Sequence, residues 1–183
     1  MQSIKERQQP DVDQLITLFN SYAQEAYQTI LVKGCDEPIY IPAKTADDVH
    51  RIIFAHGFFS SALHEISHWC IAGARRRQQV DYGYWYIEDG RNTSQQQAFE
   101  RAEIKPQALE CLFSIACKVP FQVSCDNLNG CEVDRFAFQS RVKDQVEWYL
   151  EHGLPAQAAE FLQVCMEYYQ HPVCFRNQCF KAA

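Results

Sequence analysis

The chain has 183 residues, 47% of them hydrophobic and 22% charged, which fits one globular domain spanning 1–183 with enough length to bury a sizeable core. Its formal net charge of −6 argues against general nucleic-acid binding, which normally shows as a basic domain, so no direct nucleic-acid partner is expected. Nine cysteines, an odd number, and an opening stretch without an apolar signal region exclude a secreted disulfide scaffold, and no run is long enough for a membrane span. The expectation is a cytoplasmic protein with free thiols and no membrane association.

Val12, Leu15, Ile16, Phe19, Tyr22, Ala23 and Ala26 recur at helical spacing after Asp11 and predict a first helix over 11–28. Thr29–Val32, Pro38–Ile41 and Arg51–Phe54 are short β-branched or aromatic runs broken by Gly34, Pro38 and Pro42, and read as strands. A second helix follows from Phe59 to Gly73, with Gly73 as its cap and Arg75, Arg76 and Arg77 as a solvated run beyond. Tyr82–Tyr86 reads as an aromatic strand, and Asp89-Gly90 as a turn. Thr93 or Ser94 caps a helix through Phe99, and Pro106 opens a separate one that presents Leu109, Leu112, Phe113 and Ala116. Phe121–Val123 can add a strand. The C-terminal third is helical over 134–152, with Phe136, Phe138, Val142, Val146, Tyr149 and Leu150 as its apolar residues, and over 156–169, the two divided by Gly153 and Pro155. Strands cluster early and helices predominate, so the fold class is α+β: a small mixed sheet packed by helices.

No two cysteines stand as Cys-x-x-Cys; Cys174 and Cys179 come nearest and lack a second pair. Cys70, Cys111, Cys117 and Cys165 fall in apolar helical stretches and read as small buried hydrophobes.

The informative segment is His64-Glu-Ile-Ser-His68, a His-Glu-x-x-His pattern inside a predicted helix. Residues four apart share a helix face, so two imidazoles can reach one divalent metal while Glu65 lies beside a metal-bound water. A catalytic metal usually takes a third protein ligand and keeps an open position. His152 and His171 lie far off in the sequence, so the third ligand is expected to be a carboxylate among Glu100, Glu103 and Glu110. Glu103 precedes an apolar helix and is preferred; Glu110, seven residues on and on the same strip, is the alternate. Two histidines and a carboxylate suit a zinc metallopeptidase, with Glu65 as general base, and equally a non-haem Fe(II) oxygenase, with Glu65 orienting a ligand or proton.

The chain resembles the elongation factor P hydroxylases of bacteria. The resemblance lies in Asp36-Glu-Pro-Ile-Tyr40, Phe54-Ala-His-Gly57, the run Ala62–Gly73, Tyr82–Tyr86 with Asp89-Gly-Arg91, Phe99-Glu100 with Glu103–Leu109, and Val123–Leu128. It implies hydroxylation of an elongation factor P lysine that already carries a β-lysyl group. It also implies a two-His, one-carboxylate metal centre (here His64, His68 and Glu103) on a fold similar to zincins and to a metal-dependent bacterial ribonuclease. Fe(II) is the implied metal, with zinc or another divalent ion as alternatives, and O2 the co-substrate; no Arg/Ser pair for a 2-oxoglutarate carboxylate stands out. Tyr84 and Tyr86, on one face of the predicted strand, and Asp126 are candidates for contacting the lysyl chain, with Glu88 and Asp89 as further carboxylates for its amines. The tail from about residue 170 adds little to the resemblance and is read as peripheral.

Overall fold

In the computed structural model, residues 11–83, 87, 89–125 and 127–170 are described. Helix α1 (Val12–Tyr27) starts where the Asp11 carboxylate accepts the Asp13 N–H at 2.9 Å and ends on Gln28 in the left-handed region. Leu15, Phe19 and Ala23 form its buried face, while Ala26 is exposed. Strands β1 (Thr29–Lys33), β2 (Ile39–Ile41) and β3 (His50–Phe54) follow. The sheet order is β1-β3-β2, with β1 parallel and β2 antiparallel to the central β3, so the sheet is mixed as expected. Asn20 of α1 accepts the Leu31 N–H at 2.7 Å and donates to the Leu31 carbonyl at 3.3 Å. A helix side chain thereby serves main-chain groups at the outer edge of β1 that no strand pairs.

Helix α2 (Phe59–Ile71) buries Ala62, Leu63, Ile66, Ser67, Trp69 and Cys70. It stops at Ala72, which turns extended at ψ 118°; Gly73 is not in the left-handed conformation expected of a capping glycine. Beyond it, Arg77 is not a solvated charge: its guanidinium lies 4.7 Å over the Trp69 ring. Where an aromatic strand was expected to begin, Val80–Gly83 makes a tight 3-10 turn with Asp81 and Tyr82 both at positive φ. Tyr84, Trp85 and Tyr86 lie outside the described residues, as do Glu88, Asp126 and the tail with His171, Cys174 and Cys179.

Helix α3 (Thr93–Ala116) is one continuous element rather than two. Its cap is Asn92, not Thr93 or Ser94: the Asn92 side chain accepts the Gln95 N–H while the Gln95 side chain accepts the Asn92 N–H, a capping box. Pro106 sits inside it and removes one backbone donor. Buried side chains on both sides, Gln96, Glu100 and Glu103 before and Leu109, Leu112 and Phe113 after, hold the helix across that gap. Tertiary packing here outweighs local propensity. Helices α4 (Arg135–His152) and α5 (Ala156–Tyr168) complete the described chain, separated by Gly153 at φ 96°. Phe138, Val142, Val146 and Tyr149 bury as the periodicity predicts, but Phe136 is 85% exposed in the first turn of α4. Phe121–Val123 forms no strand.

The core centres on an aromatic cluster. Phe19 packs edge-on against Trp69 at 5.4 Å and against Phe161 at 5.3 Å, and Phe113 meets Phe161 at 5.2 Å, so α1, α2, α3 and α5 converge there. Cys70, Cys111, Cys117 and Cys165 are buried as expected, and Cys35 is exposed. Among the described residues no helix is long and apolar enough to cross a membrane.

Candidate metal centre

With one face of α2 committed to the core, His64 and His68, one turn apart, face α3. Their Nε2 atoms are 3.1 Å apart. From α3, the Glu103 carboxylate, only 2% exposed, reaches both rings: Oε2 is 3.4 Å from His64 Nε2 and Oε1 is 3.2 Å from His68 Nε2. One ligand atom from each residue falls within a single 4.8 Å cluster. Two donors each ~2.1 Å from a common ion stand ~3.0 Å apart at a right angle and ~3.4 Å apart at the tetrahedral angle. The observed separations span that interval, so the donor set fits a divalent cation.

The other candidate carboxylates go elsewhere. Glu110 Oε2 lies 2.9 Å from His64 Nδ1, the ring nitrogen not used in the cluster. Glu100, buried, forms an ion pair with Arg141 and accepts from Gln96 at 3.1 Å. His152 stacks on Trp148 at 4.8 Å between ring centres. Gln107, one turn beyond Glu103, donates to Glu103 Oε2 at 3.3 Å and to the Ser124 carbonyl at 2.8 Å, and accepts the Ser124 N–H at 3.0 Å. It ties the carboxylate to the segment that follows α3. Spacing alone can find Gln107, at i+4 from Glu103, but gives no sign that its other hand holds Ser124.

Charge and burial oppose each other here. Burial disfavours an ionised Glu103, yet the neighbouring His68 and His64 win and hold its carboxyl down at about 2. Burial likewise disfavours a protonated His64, but Glu103 and Glu110 outweigh it and push the imidazole up to about 10. Glu65 goes the other way: burial, with the Glu103 and Asp81 charges behind it, raises its carboxyl above the ordinary range despite the two imidazoles. Glu65 makes no hydrogen bond or ion pair among the described residues. Protons on the histidines must leave before both can ligate an ion, so metal binding and proton release are linked.

These residues line a cleft of about 830 Å³, which also takes in Glu37, Asp81, Tyr82, Arg101 and Lys105. Asp81 belongs to no motif, and Tyr82 stands out in the sequence only as the start of the aromatic run Tyr82–Tyr86, with no sign that it faces this cleft. Asp89 is engaged outside this cleft, accepting from Asn129 at 3.0 and 2.6 Å. Tyr84, Tyr86 and Asp126, the candidates for substrate contact, lie outside the described residues.

The family model described as elongation factor P hydroxylase matches residues 18–180. A curated relative from Haemophilus influenzae (strain ATCC 51907 / DSM 11121 / KW20 / Rd), named elongation factor P lysine hydroxylase, is 46% identical over 158 residues. That alignment covers 86% of this chain and 89% of the relative. With a family match across most of its length and a close full-length relative, the chain belongs to the elongation factor P hydroxylase family.

Proposed function

We propose that this chain is an Fe(II)-dependent hydroxylase of the lysine of elongation factor P, acting after that lysine has received a β-lysyl group. The observation that carries the reading is the convergence of His64, His68 and Glu103 in a cleft: two imidazoles and one carboxylate leave further coordination positions for other ligands, the arrangement of non-haem iron oxygenases. The relative's name supplies the substrate, elongation factor P lysine. The reading includes a core of the zincin or metal-dependent ribonuclease kind, one domain across 1–183, and action in the cytoplasm.

When bound, the ion supplies the redox chemistry that lets O2 react at a substrate carbon. The protein's part is placement. His64, His68 and Glu103 hold the ion, and Glu110, on His64 Nδ1, fixes which ring nitrogen is free to bind it. Gln107 keeps the Glu103 carboxylate from rotating. Glu65, a raised carboxyl next to the ligand helix face, holds or passes a proton beside the centre. The cleft of about 830 Å³ has room for a long aliphatic side chain.

The test joins two measurements: metal content of protein purified without oxygen, and intact mass of β-lysylated elongation factor P after reaction. Iron in the protein and a gain of one oxygen atom in the substrate are expected. Full turnover by His64→Ala or His68→Ala overturns the reading.

A further inference from the structure

The turn Val80–Gly83 carries three successive positive φ angles, 48° at Asp81, 57° at Tyr82 and 69° at Gly83. Glycine takes this conformation freely and aspartate tolerates it, but a tyrosine there is strained. Tyr40 holds the turn: its N–H donates to Asp81 Oδ1 at 2.8 Å and its ring stacks on Tyr82 at 4.3 Å. The result is that Asp81 and Tyr82 line the same cleft as His64, His68 and Glu103. Strain of this kind persists where the surroundings impose it, and it gathers at ligand sites.

Among the described residues, three groups on this wall keep unused hydrogen-bonding capacity. The Tyr82 hydroxyl is shut away from solvent on a residue only 4% exposed and meets no hydrogen-bond partner among them. A buried hydroxyl left so calls for an explanation, and a bound ligand is one. Asp81 uses Oδ1 for Tyr40, and among the described residues no donor reaches its Oδ2. Glu65 is the third: it lines the same cleft and makes no hydrogen bond or ion pair among the described residues. Among the described residues no ion pair joins Arg101 or Lys105 to these carboxylates, and Arg91 donates to Gln96 and to the Ile87 and Cys125 carbonyls.

We propose that Asp81, Tyr82 and Glu65 form a subsite for a primary alkylammonium, the amine end of the lysine chain whose carbon lies at the metal centre. This rests on the hydroxylase reading above. An ammonium carries three donors and no acceptor, which matches a free carboxylate oxygen, a phenol oxygen and a second carboxylate. Charge-assisted hydrogen bonds of this kind are short and strong, and the low-dielectric cleft strengthens them. The subsite makes the protein selective for a charged amine over a neutral, acylated one.

Binding is measured with the full-length, metal-free protein, so that turnover plays no part. Three forms of elongation factor P serve as probes: unmodified, lysyl-extended, and lysyl-extended with its amines acetylated. Wild type is expected to bind the extended form about tenfold tighter than the acetylated one. Asp81→Asn keeps the carbonyl oxygen for Tyr40 and tolerates the left-handed backbone, so the protein folds but the preference falls to about twofold or less. Tyr82→Phe weakens binding of the extended form about fivefold while its melting temperature stays equal or rises, since it removes an unsatisfied hydroxyl. Equal binding of the unmodified form assigns the subsite to the lysine's own ε-amine rather than to the extension. If Asp81→Asn keeps the full preference, or wild type has none, the subsite is wrong. If no form of elongation factor P binds wild type, the hydroxylase reading falls instead. Lysine peptides, free or acetylated, then decide the subsite: a preference lost in Asp81→Asn upholds it, and no preference overturns it.

Discussion

Glu110 Oε2 lies 2.9 Å from Nδ1 of His64, so both nitrogens of this ring are engaged, Nε2 toward His68 and Glu103 and Nδ1 toward Glu110. The two carboxylates are seven residues apart on α3, about two turns, and therefore face α2 together. What separates their roles is the rotation of the His64 ring between them. A proton on Nδ1, donated to Glu110, leaves the Nε2 lone pair for a metal and makes the ring a stronger ligand.

Glu110→Gln keeps an acceptor but removes the charge. Metal affinity, measured by competition with a chelator, is expected to fall about 10- to 100-fold with the stoichiometry of one ion intact. Glu103→Ala is expected to do more, abolishing stoichiometric binding, because it strips the carboxylate that both rings face. The reverse ranking would exchange the two assignments.

Glu65 stands next to His64 in sequence but outside the cluster of His64, His68 and Glu103 that could hold an ion. Glu65→Gln is therefore expected to bind metal as wild type does, while hydroxylation of elongation factor P drops about 100-fold or more, the range set by losing a positioned proton carrier. Intact-mass kinetics on metal-quantified protein separate the two effects. Loss of metal in Glu65→Gln would make it part of the ligand set.

The parts of this fold that depend on near neighbours are legible in the sequence. The His64–His68 pairing follows from helical spacing, and the strands at Thr29–Lys33, Ile39–Ile41 and His50–Phe54 follow from β-branched runs between breakers. What depends on distant contacts is not. Pro106 signals a helix start, and only the buried residues on both its sides carry α3 through it. Phe136 is apolar within a helical stretch, yet two residues from Phe138 it falls on the other side of α4 and is exposed. Glu103 and Glu110 are indistinguishable by spacing, since each sits on the strip that meets α2; the choice between them is made across the helix interface.

Gln107 makes three hydrogen bonds, two to the Ser124 backbone and one to Glu103. Gln107→Leu keeps roughly the volume and removes both hydrogen bonds to the half-buried Ser124 backbone. Unfolding free energy is expected to fall by about 1–2 kcal/mol, the net worth of the lost hydrogen bonds, and metal affinity falls with it as Glu103 loses its support. Denaturant titration of the metal-free protein reads the first effect and chelator competition the second. An unchanged midpoint would mean that Ser124 and its neighbours are not fixed by this contact.

Away from the cleft, Glu160 of α5 accepts from Tyr22 at 2.9 Å and Tyr27 at 2.5 Å, joining α5 to the end of α1. The Tyr27 and Tyr22 hydrogen bonds hold its carboxyl below the ordinary range. A carboxyl depressed in the folded state stabilises the protein above its unfolded pKa of about 4.5, and that contribution is lost as pH falls through the lower folded value. Because Glu160 is exposed, water screens the interaction, and Glu160→Gln is expected to cost only about 0.5 kcal/mol at pH 7. The cost should shrink toward zero in acid, once the pH has fallen through the folded value and both proteins are neutral at this position. Denaturant unfolding of wild type and variant at neutral pH and in acid checks the sign. A difference that persists or grows in acid would place the contribution of Glu160 in packing rather than in its charge.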